Sequence, residues 1–139
     1  MWSPKRQEGD TRIAGPAYTV RFVRNNYTSA PTPPQHHVSN RPLRKHSSDT
    51  NSVTNQIDTI PAGAIVFISA PAGIFNAVYG GLMSGRAKYS GAAGTIVDGY
   101  FRDLQEHRDL EYPVFAKDIS TPSYYEVARP SEVGISYHL

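Results

Sequence analysis

Hydrophobic and polar positions first alternate over residues 13–23, IAGPAYTVRFV. Tyr18, Val20 and Phe22 fall on one side of the alternation, and Thr19, Arg21 and Val23 on the other. That is the two-residue period of a strand. The pattern then stops. Residues 24–58 carry Pro31, Pro33, Pro34 and Pro42 among many Ser, Thr and Asn and few aliphatic or aromatic side chains. So little apolar surface cannot offset the entropy of ordering, and a flexible polar insertion is expected there. His36, His37 and His46 lie in it and read as solvated loop histidines rather than metal ligands. Patterning resumes at Ile60. Pro61-Ala62-Gly63 makes a turn, residues 64–69 (AIVFIS) form a continuous apolar run suited to a buried strand, and a second Pro/Gly turn follows at Pro71–Gly73. Over residues 74–94 the small residues and the spacing of Leu82, Met83 and Ala87 predict a helix from near Gly81 to near Gly91 or Gly94. Residues 94–99 (GTIVDG) predict a short buried strand closed by a turn, 101–110 a short helix and 113–116 a further strand. The tail is weakly patterned, with one strand expected near Tyr125–Ala128. Strand, helix, strand, helix, strand is the alternation of an α/β fold.

Composition narrows the picture. With 139 residues the chain suffices for one domain with a core, but not for two. A net charge of +2 gives no reason to expect nucleic acid or a membrane surface as a partner. The absence of cysteine excludes disulfides, thiolate metal sites and cysteine nucleophiles. The start, MWSPKRQEGD, has no apolar stretch of the kind that opens a secretory signal, and no run approaches the roughly 20 apolar residues of a membrane span. A cytoplasmic location is the expectation.

Two junctions carry candidate chemistry, because ligands of open α/β sheets gather where strands end and helices begin. The first is Gly80-Gly81-Leu82-Met83. Two glycines allow close approach of the backbone to a ligand, and a helix start offers free N–H groups to a carboxylate or phosphate. The second is Asp98-Gly99-Tyr100-Phe101-Arg102-Asp103. Arg102 is suited to clamp a carboxylate through two parallel hydrogen bonds, and Asp103 to hold a hard cation such as Mg2+ or Mn2+. Together these groups suit an α-keto acid. Plainer readings fit the same residues. Gly80-Gly81 can be a tight turn, Asp98 a turn former and Arg102 a surface ion-pair partner. Asp103 and Glu106 have the spacing of a helix N-cap and its reciprocal glutamate.

Gly81, then residues 82–101, then Arg102-Asp103, two further residues and Glu106 reproduce the pattern G-x20-R-D-x2-E/D. With AGPAYTV (14–20), IPAGAIVFI (60–68), YGGLMSGRAKYSGAAGTIVDGYFRDLQE (79–106) and YPVFA (112–116) in the same order, the chain resembles the RraA-like family. That family includes the 4-hydroxy-4-methyl-2-oxoglutarate / 4-carboxy-4-hydroxy-2-oxoadipate aldolases. The resemblance covers roughly residues 13–23 and 60–135. It implies a single RraA-like domain over 1–139, interrupted by the insertion at about 24–58. The implied fold is a swivelling β/β/α domain similar to phosphohistidine domains, assembled as homotrimers or hexamers. Gly80, Gly81, Leu82, Met83 and Arg102 are implied to bind a pyruvate moiety, and Asp103 to be the direct ligand of Mg2+ or Mn2+. Arg102 and Asp103 are the implied catalytic pair.

The implied activity is that of a metal-dependent lyase, cleaving a carbon–carbon bond beside a keto acid to release pyruvate. Retro-aldol cleavage of the two hydroxy-oxo diacids and decarboxylation of oxaloacetate both fit. Gly81 stands where some characterised aldolases carry aspartate, which leaves decarboxylation more open. The chain begins close to the first strand and stops at Leu139, so the fold is expected to be incomplete at both ends. A non-catalytic regulator that binds an RNA-processing enzyme, as some bacterial relatives do, and an inactive fragment are the alternatives.

Overall fold

A computed structural model describes Ser3, residues 11–25, Ile57 and residues 59–133. The insertion expected at 24–58 lies almost wholly outside the described residues. Among the described residues, six strands and two helices of more than one residue follow in the order β1 (Ala17–Arg24), β2 (Ile65–Ser69), β3 (Ala77–Tyr79), α1 (Gly81–Tyr89), β4 (Gly94–Phe101), α2 (Leu104–Asp109), β5 (Val114–Ile119) and β6 (Ala128–Val133).

The alternation in β1 is realised as drawn from the sequence: Tyr18, Val20 and Phe22 are buried. The strands build one mixed sheet ordered β3-β4-β2-β1-β6, with β5 also paired to β4. β1, β2, β4 and β5 run parallel, as does β3 beside β4. β6 closes the far edge antiparallel to β1. β4 is the organising strand. It pairs with β2 along Gly94–Asp98, with β5 from Thr95 to Phe101, and with β3 through Tyr100 and Phe101. The strand ends beside the Arg102-Asp103 dipeptide.

The core gathers Val20, Val66, Ile68, Val97, Phe101 and Val114 from the sheet, with Tyr79 from β3 and Ala87 from α1. Full burial of one such large apolar side chain contributes about 1.5–3 kcal/mol. β2 departs from its sequence reading. Its apolar run predicted burial on both faces, yet within β2 only Val66 and Ile68 are buried, and Phe67 is 37% exposed. A run of apolar residues reports hydrophobicity, not how many faces are covered.

Three further boundaries differ. β3 has three residues, too few for a period to register before the glycines, and lies within the 74–94 segment ahead of the helix. Asp98-Gly99 does not end β4; the strand continues through Phe101, because β3 and β5 supply pairing partners for Tyr100 and Phe101. The last strand spans Ala128–Val133 rather than residues 125–128.

Candidate active site

The parallel ladder puts the C-terminal ends of β3 and β4 side by side, so the two junctions separated by some twenty residues in sequence become neighbours. Arg102 N–H donates to the Tyr79 carbonyl at 3.0 Å. Gly80 is the N-cap of α1 and Gly81 its first residue, with backbone angles at Gly80 that any residue adopts. Conformational freedom is therefore not what requires glycine here; space is. A methyl group on Gly80 would lie 2.7 Å from Asp103 Oδ2 and 3.2 Å from Arg102 Nε. One on Gly81 would overlap the Glu106 carboxylate and sit 2.6 Å from Glu106 Cβ. Gly81, Arg102, Asp103 and Glu106, the separated positions of the sequence pattern, meet around one helix start.

Asp103 is the centre of this arrangement. Its backbone is left-handed, φ 64 and ψ 45, a conformation that costs a non-glycine residue on the order of 1–2 kcal/mol. It stands at the N-cap position of α2, yet its side chain makes no capping hydrogen bond to that helix. The reciprocal cap read from the Asp103–Glu106 spacing is thus not formed. Asp103 instead accepts the Gly81 N–H of α1 through Oδ2 at 3.0 Å. α1 has no acidic residue in its own first turn, so this carboxylate, 22 residues away, supplies the negative charge its dipole favours. Arg102 Nε lies 3.5 Å from the same oxygen, and the two side chains remain 39% and 35% exposed. A soluble ligand can reach both.

One donor of the expected anion cradle is therefore already engaged by Asp103. Met83 N–H is likewise turned to the Gly80 carbonyl at 3.1 Å. A small cavity of about 80 Å3 opens beside these groups, lined by Gly80, Leu82, Met83, Arg102, Asp103 and Tyr124 among others. Tyr124 and Tyr125, which also borders it, were not expected at the site. Nothing in their spacing points there. They arrive because the 122–125 loop is tied to the start of β3: Ala77 N–H donates to the Pro122 carbonyl at 2.8 Å and Asn76 Nδ2 to the Ser123 carbonyl at 2.8 Å. The Tyr124 ring packs edge-on against Phe22 at 4.9 Å. Burial, with Tyr125 alongside, pushes its phenol well above the ordinary range and keeps it protonated.

Behind the site runs a buried row of polar side chains that sequence reasoning also missed. His107 is 1% exposed. Its Nε2 lies 2.7 Å from the Arg102 carbonyl oxygen and its Nδ1 2.8 Å from Ser84 Oγ. Ser84 Oγ lies 3.0 Å from Tyr79 Oη, Tyr79 Oη 3.0 Å from Thr95 Oγ1, and Thr95 Oγ1 3.1 Å from Tyr112 Oη. A carbonyl only accepts, so Nε2 carries a proton. Ser84 Oγ donates to Tyr79 Oη, and in the Tyr79–Thr95 and Thr95–Tyr112 pairs either hydroxyl can donate. Burial pushes the His107 pKa down, against the Arg102 carbonyl and the Asp103 and Glu106 charges. Burial also raises the phenols of Tyr79 and Tyr112, so both stay neutral.

Among the described residues, no group of three or more His, Asp or Glu side chains forms a metal cage. That matches only part of metal chemistry. Mg2+ keeps most of its waters and is commonly held by one or two carboxylates, so Asp103, with Glu106 nearby, is a donor set that fits it and not a thiophilic metal. On the other side of α1, Leu82, Gly85, Arg86, Tyr89, Glu106 and Leu110 border an open groove of about 630 Å3. Leu82 and Tyr89 are 72% and 95% exposed there.

Comparison with known proteins gives this geometry a family. The RraA-like family model, described as Aldolase/RraA, matches residues 2–136. The chain belongs to the RraA-like family. Protein DlpA of Legionella pneumophila is 28% identical over 108 residues, covering 78% of this chain and 15% of DlpA. A Halalkalibacterium halodurans protein provisionally named 4-hydroxy-4-methyl-2-oxoglutarate aldolase is 30% identical over 77 residues, 55% of this chain and 37% of that protein. The crystal structure of Streptomyces coelicolor RraAS2, described as an unusual member of the RNase ES inhibitor RraA protein family, superposes with a TM-score of 0.63 at 20% identity. That superposition covers 87% of this chain and 50% of RraAS2 and establishes the shared fold. The chain thus spans half or less of the length of each of these relatives.

Proposed function

We propose that this RraA-like chain carries the site of a divalent-metal-dependent carbon–carbon lyase that releases pyruvate. The supporting observation is the Arg102-Asp103 turn. A strained, left-handed aspartate is pinned on a helix start, beside an exposed arginine, at the edge of a small cavity. Backbone strain of this kind persists where surrounding contacts over-determine it, and it clusters at functional sites.

In this reading Arg102 binds the keto-acid carboxylate through its guanidinium, with the backbone of Gly80, Gly81, Leu82 and Met83 forming the facing wall. Asp103 would hold Mg2+ or Mn2+, which when bound supplies Lewis-acid polarisation of the keto oxygen. Breaking the adjacent carbon–carbon bond releases carbon dioxide, or a second keto acid once its hydroxyl proton passes to solvent, and leaves the electron pair on the pyruvate fragment as an enolate that solvent protonates; Arg102 would stabilise that developing negative charge. Tyr124, neutral and beside the cavity, can donate a hydrogen bond without changing the charge of the site. Oxaloacetate, 4-hydroxy-4-methyl-2-oxoglutarate and 4-carboxy-4-hydroxy-2-oxoadipate all present the required keto acid. The family's aldolase name and the aldolase name of the Halalkalibacterium relative support this class. A single domain and a homotrimeric or hexameric assembly belong to the same proposal.

The second reading is a non-catalytic regulator that binds an RNA-processing enzyme. The exposed Leu82 and Tyr89 along the α1–α2 groove favour a docking role of this type. One assay separates the two: pyruvate release from oxaloacetate with protein and Mg2+, set against Mg2+ alone. The lyase reading expects release well above the metal-only background, abolished by chelator and restored by added Mg2+. Turnover that survives exhaustive chelation would remove the metal role, and release equal to background would leave the regulator or an inactive fragment.

A further inference from the structure

We propose that His107 is a positioning residue for the Arg102-Asp103 turn, acting through one hydrogen bond from its Nε2–H to the Arg102 carbonyl. This rests on the reading of Arg102 and Asp103 as the working pair.

The geometry assigns the role as follows. The Arg102 carbonyl belongs to the peptide that joins Arg102 to Asp103, so whatever holds that oxygen holds the whole planar unit. The torsion φ of Asp103 is rotation about the bond leaving that plane. At one end of this rotor the peptide plane is fixed by His107 Nε2 at 2.7 Å. At the other the carboxylate is fixed by Gly81 N–H at 3.0 Å. Two anchors on either side of one bond are what a left-handed aspartate needs, since its relaxed conformations have φ negative. The Arg102 N–H bond to the Tyr79 carbonyl at 3.0 Å completes the clamp from the preceding side.

His107 is itself prevented from turning. Tyr79 stacks on the imidazole at 5.9 Å between ring centroids and 10° between planes, and Phe101 meets it at 5.3 Å. Ser84 holds Nδ1, and the row through Tyr79, Thr95 and Tyr112 engages every hydroxyl behind it. His107 is the buried residue of α2, and Leu104 of the same helix packs against the core. An aliphatic side chain there would fill the space but leave the Arg102 carbonyl and the Ser84 hydroxyl without this partner. The imidazole is the group that spans both, one edge towards the site turn and the other towards α1.

The two nitrogens can be tested separately. Glutamine carries its amide nitrogen near the Nε2 position, whereas asparagine ends near the Nδ1 position and leaves the Arg102 carbonyl without this donor. Ser84→Ala removes the Nδ1 partner and leaves the Nε2 bond intact. The first readout is hydrogen-exchange protection of the Gly81 amide by NMR, which reports the bond to Asp103 directly; the second is metal-dependent pyruvate release. His107→Asn is expected to lower both by about tenfold or more, while His107→Gln and Ser84→Ala keep both within about threefold of wild type, even where global stability drops. A purely structural His107 would instead lower Gly81 protection in step with global stability in all three variants, and that result overturns the proposal. So does wild-type protection in His107→Asn. If wild-type protein releases no pyruvate, the lyase reading fails, while the Gly81 amide still decides the role of His107.

Discussion

Asp103→Asn separates charge from shape at the centre of the site. The two side chains are nearly isosteric, and asparagine is among the few residues that tolerate the left-handed backbone Asp103 adopts at φ 64. Its amide oxygen can still accept the Gly81 N–H that the carboxylate receives at 3.0 Å. Only the charge is lost. Hydrogen bonds to charged groups contribute about 1.5–3 kcal/mol against about 1 kcal/mol for neutral ones. With the Asp103 side chain 35% exposed, solvent screening takes up much of that difference. The 3.5 Å pair with Arg102 is as exposed and adds about 0.5 kcal/mol or less. Metal-free Asp103→Asn should therefore lose less than about 1 kcal/mol of stability. Asp103→Ala keeps the strained backbone and also removes the acceptor, so it should lose roughly 1–2 kcal/mol more. Turnover should not follow this order. Both variants lack the anionic oxygen a hard cation prefers, and metal-dependent pyruvate release should fall at least about a hundredfold, or about 2.7 kcal/mol, in each. Urea unfolding of chelator-treated protein measures the first quantity, and decarboxylation of oxaloacetate across a range of Mg2+ concentration the second. An asparagine variant with wild-type turnover and an unchanged Mg2+ requirement would show that Asp103 serves α1 as a cap and nothing more.

Three other substitutions and conditions follow from the same geometry. Arg102→Lys keeps the charge and loses the planar fork, so catalytic efficiency should drop at least about tenfold, or about 1.4 kcal/mol; unchanged steady-state kinetics would make Arg102 a surface charge. Gly81→Ala brings a methyl group within 2.6 Å of Glu106 Cβ. Alanine gains about 1 kcal/mol in helix propensity, but overpacking costs about 1–3 kcal/mol, so a melting temperature at or above wild type would contradict the close approach. His107 has a folded-state pKa pushed below its usual value by burial, so below the unfolded pKa of about 6.5 the unfolded chain binds more protons than the folded one. Its contribution is present above that pH and is lost as pH falls through the lowered folded value. Denaturant midpoints should decline as acid is added, with a shallower slope in His107→Gln; equal slopes would mean another group dominates.

The alternation of Tyr18, Val20 and Phe22 was legible as a strand with one buried face, because a two-residue period needs only local sequence to declare itself. The helix at Gly81 and the four separated positions Gly81, Arg102, Asp103 and Glu106 were legible as well, since their spacing is a property of the chain. What the spacing could not convey is direction. From sequence Asp103 fitted both a metal ligand and the cap of the helix it precedes; the fold turns its carboxylate across to Gly81, because parallel pairing of β3 with β4 brings the two strand ends together. The same pairing explains why Gly80 and Gly81 must be small, a matter of what approaches them rather than of their own backbone. Tyr124 reaches the cavity through hydrogen bonds from Asn76 and Ala77 to a distant loop. His107 is a polar residue on a short helix until Tyr79, Ser84, Thr95 and Tyr112, drawn from four other segments, close around it. Periods and spacings are written along one dimension, whereas a partner contributed from twenty or forty residues away exists only after the sheet has set its register.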